Sequence, residues 1–174
     1  CIALYFAQGA SATMGVWIDC AEGRRFVNEL ANRKVRADAV IRNNNRGHRC
    51  IALADTRAVD AWKGGRPGML EKQLERGVVH QCATLEELAK ANGIPLEPLK
   101  KTIADYNAAL ARKSGDETGR GFFPRAKSMG EGPWYYSILS PKVHHCMGGL
   151  QTDSEARVIS ITDDRPIPGL FAAG

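Results

Sequence analysis

The sequence predicts an α+β fold, and three observations carry that expectation. Helical and strand-like stretches follow one another without regular βαβ alternation. Two helical stretches carry complete start and stop signals, while the strand-like stretches are short and bounded by turn residues. No GxGxxG follows a strand and opens a helix, so no dinucleotide-binding domain is expected within these residues.

The elements follow in order. Residues 13–27, TMGVWIDCAEGRRFV, read as two strands around a turn at AEG. A helix is expected over about 33–43, with apolar residues at Val35, Ala39 and Val40 and an Asn-rich stop. RCIALAD (49–55) reads as a short buried strand, and WKGGRPG as a loop. Pro67 can open the helix GMLEKQLERG, which Gly77 closes. In TLEELAKANG (84–93), Thr84 and Glu87 have capping-box spacing and Gly93 is the C-cap. PLEPLKKTIADYNAALARKSG is the main helix, with Leu99, Ile103, Tyr106 and Leu110 as its apolar stripe. GDETGRGFFPRAKSMGEGP is a glycine-rich loop, WYYSILSP a strand, and 149–162 is expected to supply two more strands around SEA. No internal repeat occurs.

A chain of 174 residues is long enough for one domain with a real core, or for a piece of something larger. A first residue Cys1 and an end at GLFAAG inside an apolar run favour the excised piece. No apolar run is long enough to span a bilayer and no signal-peptide pattern opens the chain. The net charge of +5 comes from scattered basic residues without aromatic platforms, which argues against nucleic acid and for small anions. The five cysteines are odd in number and form no CxxC. They read as reduced thiols, compatible with the cytoplasm or with export of a parent protein already folded.

Two stretches are candidates for chemistry. VHHCMGGLQTD (143–153) holds adjacent histidines, a cysteine and a Gly-Gly pair. Neighbouring strand residues point to opposite faces, so His144 and His145 do not share a metal, and Cys146 does not gain a base from its neighbour. The other histidines, His48 and His80, have no ligand-like spacing, and no metal is expected. Local physics favours a turn entering a strand, with Gly148 and Gly149 serving an unusual backbone. The second stretch is EGRRFVNELANRK (22–34), which places Arg33 near a helix start. The helix dipole disfavours a cation there, and a guanidinium suits a carboxylate, yet an ordinary surface arginine explains the residue equally well by local physics.

Several stretches together resemble the flavin-dependent fumarate reductase and succinate dehydrogenase flavoprotein family, above all the soluble flavocytochrome-type fumarate reductases and urocanate-reductase-like relatives. GRRFVNELANRK resembles the family's G-x-R-F-x-x-E…R-[DK] segment, and TLEELAKANGIPLEPLKKTIADYN its helix pair. SGDETGRGFFPRA resembles its G-x-D…G-R loop, VHHCMGGLQTD its H-[HY]-T-M-G-G motif, and PIPGLFAAG the segment that returns the chain to the flavin domain. The resemblance covers nearly the whole chain. It implies a capping domain at residues 16–133, a junction with an absent flavin-binding domain at 1–15, and return strands at 134–174.

It further implies an FAD-dependent oxidoreductase that reduces an activated C=C bond of a fumarate-like carboxylate. Hydride comes from flavin N5 and the proton from Arg33. His144, Met147 and Gly148 would bind substrate, and Gly149, Ala173 and Gly174 would lie at the FAD of the full-length parent. The implied partners are a small dicarboxylate or related unsaturated acid and the rest of the flavoprotein chain. Cut off from these, the piece is expected to be inactive and to bury apolar surface by self-association. Cys146 stands where relatives have Thr, and Lys34 where many have Asp. Gly9 and Ala12 stand where relatives carry a Glu and an Arg that feed protons to the catalytic arginine. These departures leave an activated alkene other than fumarate as substrate. A ketosteroid-dehydrogenase-like cap and a non-catalytic binding module are the alternatives.

Overall fold

The strand Cys50–Asp55 (β3) is buried at every position, because it lies in the middle of a sheet covered on both faces. The computed structural model describes residues 6–63, 67–112, 115–123, 127–142 and 148–173, and the chain divides into two units, Cys1–Pro141 and Lys142–Gly174.

In the first unit, the expected strand pair forms as Val16–Asp19 (β1) and Arg24–Arg25 (β2), joined through the turn after Asp19. His80–Cys82 (β4) and Trp134–Ile138 (β5) complete a five-stranded sheet of order β2-β1-β3-β5-β4, antiparallel at every pair. Alternate residues of β3 face opposite ways. Ala52 and Ala54 pack with Phe6, Trp17, Ala39, Val40, Val59 and Trp62, whereas Ile51 and Leu53 pack with Leu88, Leu99, Ile103 and Tyr106. Each fully buried Leu or Ile here contributes about 1.5–3 kcal/mol.

The helices follow the sequence closely. Arg33–Asn45 (α1) starts at Asn32, whose side chain accepts from the backbone N–H of Lys34 and Val35, and ends at Gly47, φ 78°. It absorbs the whole asparagine run, because Asn43 is buried with its amide on the Cys50 thiol. Thr56–Lys63 (α2) forms where no helix is expected and takes in Trp62 and Lys63 of the stretch read as a loop, because Ala58, Val59 and Trp62 are drawn into the core. Met69–Glu75 (α3) follows, and Gly77, φ 62°, stops it as expected. Leu85–Asn92 (α4) carries the full capping box: Thr84 Oγ1 accepts from Glu87 N at 3.1 Å, and Glu87 Oε2 accepts from Ala83 N at 2.9 Å. Leu96–Arg112 (α5) buries Leu99, Ile103 and Tyr106, but Leu110 is only half-buried and Ala109 takes its place in the stripe.

The second unit differs from expectation. One strand of the expected pair, Arg157–Ile159 (β6), forms, but its partner is Pro166–Phe171 (β7) and not the stretch before SEA. That stretch is reduced to a single bridge, Thr152 to Val158. The cause is local: the Asp153 carboxylate accepts from the N–H of Glu155 and Arg157, curling the chain into a tight turn with Ala156 at φ 62°.

Candidate functional site

The site is built from the β1–β2 turn outward. Gly23 sits at φ 65°, and a Cβ there would meet Pro95 O and Pro98 Cβ at 3.0 Å, so glycine lets this turn lie against the start of α5. Arg25 then grips Glu29 with two parallel bonds, Nε to Oε1 at 2.8 Å and Nη2 to Oε2 at 2.7 Å, and reaches Asp116 with Nη1. Arg120 comes to the same carboxylate from the glycine-rich loop, Nη1 to Oε2 at 3.1 Å, and donates to the carbonyls of Gly15 and Thr13. Glu29 and Arg120 are wholly buried, and both guanidinium groups lie about one ring-width from Tyr106, at 5.5 and 5.4 Å. Burial pushes the Tyr106 hydroxyl up to about 12. Burial alone would lower the Arg25 guanidinium, but the Glu29 and Asp116 carboxylates more than offset it and hold it raised.

This buried network holds the segment that carries Arg33. The Glu29 carbonyl accepts from Arg36 Nη1 at 3.1 Å, Asn28 Oδ1 accepts from Leu30 N at 2.9 Å, and Asn28 Nδ2 donates to Gly119 O at 3.2 Å. Arg33 is then the first residue of α1, exposed and without a hydrogen bond or ion pair among the described residues. No acidic side chain lies in the first turn, and the nearby Asp38 is taken by Lys34 at 2.6 Å. Arg36, one turn on, lies 5.5 Å over the Trp17 ring; burial, then the charge of Arg33, lowers its guanidinium. An uncompensated guanidinium at the positive end of a helix is suited to hold an anion or to meet developing negative charge.

The network carries a pH dependence. Burial alone would raise the Asp116 carboxyl, but the hydroxyl of Thr118 and the guanidinium of Arg25 hold it below its usual range. A depressed folded value means that the stabilisation is present above the unfolded value, about 3.9, and is lost as pH falls through the folded value. Replacing Asp116 by asparagine should therefore flatten the loss of stability on acidification below about pH 4. Urea midpoints of both proteins between neutral and acidic pH would show it, and parallel acid limbs would count against this role.

The other expected site residues are placed less informatively. Gly148, Gly149 and Ala173 are exposed residues of the second unit, while Arg33 belongs to the first. The expected unusual backbone at Gly148 and Gly149 is not found: neither has a left-handed φ, and a Cβ on either would meet nothing within 4 Å. An extended loop needs no glycine-specific conformation. His144, Met147 and Gly174 lie outside the described residues, as do His145 and Cys146.

Gly9 has a reason that its sequence context does not reveal. It lies on the π-helical turn Phe6–Ser11, and a Cβ there would stand 2.4 Å from Trp62 Nε1 and 2.8 Å from Cδ1. The indole fills the space that a carboxylate side chain would need. Trp62 Nε1 is buried without a partner among the described residues, and Ala12 is buried as well.

A dinucleotide cradle requires parallel strands and a glycine-rich turn opening a helix. Every described strand pair is antiparallel, and Gly148–Gly149 opens no described helix. The described residues therefore do not by themselves build a site for the FAD pyrophosphate.

Comparison with known proteins gives the family. The chain is 35% identical over 153 residues to the NADH:acrylate oxidoreductase of Vibrio harveyi, a match covering 88% of this chain and 15% of that protein. It is 35% identical over 158 residues to the acrylate reductase flavoprotein subunit of Shewanella woodyi, covering 90% of this chain and 31% of that one. It thus spans under a third of the length of these curated relatives. Among solved structures, the open conformation of a flavocytochrome c3 fumarate reductase matches 96% of this chain and 28% of its own, with a TM-score of 0.68 and 28% identity. The FAD_binding_2 model, described as the FAD binding domain, matches residues 5–174, and the chain belongs to that flavoprotein family.

Proposed function

We propose that this chain is the substrate-covering part of an FAD-dependent reductase acting on an activated C=C bond of a small unsaturated carboxylate, with Arg33 as proton donor. The observation that carries the reading is the placement of Arg33: exposed, without a counter-ion among the described residues, and held at the start of α1 by a buried network. Acrylate, fumarate and related acids are the substrate class, because the relatives are named for acrylate and fumarate reduction. Those names give a steroid substrate less support. Gly9, with the Trp62 indole filling the space above it, offers no carboxylate there, which fits a substrate other than fumarate.

In this reading residues 16–133 form the cap, 1–15 its junction, and 134–174 lead back toward a flavin-binding domain outside the chain, with β5 at the start of that return still paired in the sheet of the first unit. His144 would hold a substrate carboxylate beside Met147 and Gly148; Gly149, Ala173 and Gly174 would lie nearest the cofactor. Arg33 would stabilise negative charge growing on the alkene and give up a proton to it, most effectively once closure has expelled water. Guanidinium holds its proton strongly, so resupply must accompany transfer. No described helix is long and apolar enough to cross a membrane.

The test has two arms. The purified chain, mixed with FAD and desalted, should be colourless and inactive; stoichiometric flavin retained by these residues would overturn the proposed boundaries. The FAD-loaded flavoprotein that carries this sequence should oxidise a reduced dye on addition of acrylate, fumarate or urocanate. Failure with all three would sink the substrate class.

A further inference from the structure

We propose that Asp19, Glu22 and His48 form a binding site for one divalent metal ion of the zinc class. The site shares no residue with those assigned to alkene reduction and does not rest on that reading. Asp19 ends β1, Glu22 lies in the turn that follows, and His48 precedes β3. Antiparallel pairing of β1 with β3 sets Asp19 opposite Cys50, which brings His48 beside it across 29 positions of sequence. That separation is why ligand spacing along the chain gives no hint of the cluster.

One ligand atom from each residue lies within 4.8 Å of the other two. Zinc bonds of about 2.0–2.2 Å put neighbouring ligands about 3.3 Å apart. His48 Nδ1 and Asp19 Oδ2 are 2.8 Å apart, so they need to open by a few tenths of an ångström. Glu22 closes the remaining gap by turning its exposed side chain. Its present contact is Arg46 Nη2 at 3.2 Å, and both partners are about half exposed, at 59% and 46%; such a pair is weakly held.

The charge balance supplies a separate reason. The Asp19 side chain is only 3% exposed, and His48 is its one ionic partner among the described residues. Its Oδ1 also accepts from Ala21 N at 2.9 Å. No lysine or arginine meets this buried carboxylate among the described residues, and a bound cation would add positive charge beside it. One imidazole nitrogen with two carboxylates suits zinc better than magnesium or calcium, which favour oxygen throughout. Water would complete the coordination. The ion would tie the turn that leads to Arg25 and Glu29 to the entry of β3. Without an ion, the same residues are a plain histidine–aspartate hydrogen bond with a nearby surface pair.

The metal-free 174-residue chain should bind one Zn2+ in calorimetric titration, with a thermal midpoint that climbs as Zn2+ is raised. Co2+ should give visible absorption bands of a low-coordinate site. His48→Ala and Glu22→Gln should each weaken binding at least about 10-fold while melting as folded proteins. Two results would overturn the site: no stoichiometric ion bound, or binding unchanged in both variants, which would assign the metal to the His144–Cys146 segment or to adventitious surface groups.

Discussion

Replacing Arg33 by glutamine is expected to lower the kcat of the FAD-loaded flavoprotein by about 10²- to 10⁴-fold, the range for loss of a positioned general acid. Glutamine keeps much of the reach of arginine but cannot release a proton or carry its charge. A proton donor acts in the transition state, so kcat and kcat/KM should fall together; an arginine that only anchors substrate would raise KM and leave kcat alone. Lysine at this position should recover part of the charge but not the planar two-pronged geometry. The fold offers a clean control. Arg33 is exposed and unpaired among the described residues, so its removal should change the unfolding free energy by no more than about 0.5 kcal/mol. Removing a cation from a helix N-terminus is even slightly favourable. Steady-state kinetics beside a denaturation curve decide the matter: an unchanged kcat in a folded variant would eliminate Arg33 as the donor.

Replacing Arg120 by methionine is expected to destabilise the first unit by about 3–5 kcal/mol, the usual cost of removing one partner from a buried ion pair. Arg120 is wholly buried and donates to Glu29, to the Gly15 and Thr13 carbonyls and, at 3.4 Å, to the Phe122 carbonyl. Methionine fills similar volume but takes the guanidinium donors away from the Gly15, Thr13 and Phe122 carbonyls and from one side of Glu29, where water cannot easily replace them. Arg25 remains on Glu29, which keeps the loss from growing further. Lysine should rescue little, because one ammonium cannot span acceptors fixed around a planar fork. Urea unfolding of wild type and variant would measure it, and a change below about 1 kcal/mol would show the network to be dispensable. Because Glu29 also receives Arg36 on its main chain, the same variant should loosen the start of α1.

The α+β reading, the helices α1, α3, α4 and α5 and the central buried strand were legible because their signals are local, whereas α2 was not, since it forms by burying Ala58, Val59 and Trp62 in the core. Asn32, Thr84, Gly77 and Gly93 act within a few residues of themselves. The second unit was misread where a side chain overrode the strand pattern: Asp153 captures two backbone N–H groups and turns the chain before a strand can form. Gly148 and Gly149 looked like conformational requirements and are not, since their role depended on surroundings that spacing does not contain. The helix start at Arg33 was legible, while the buried network that holds it was not.

By itself the sequence determined four of the helices with their start or stop signals, the central strand and the membership signalled by its motifs, because each is written in neighbouring residues. Only the tertiary structure decided which distant groups meet. Arg25 finds Asp116 across 91 positions, His48 finds Asp19 across 29, and Trp62 closes the space above Gly9. Strand order, register and loop closure set those meetings, and such contacts gain their strength from burial that no local pattern specifies.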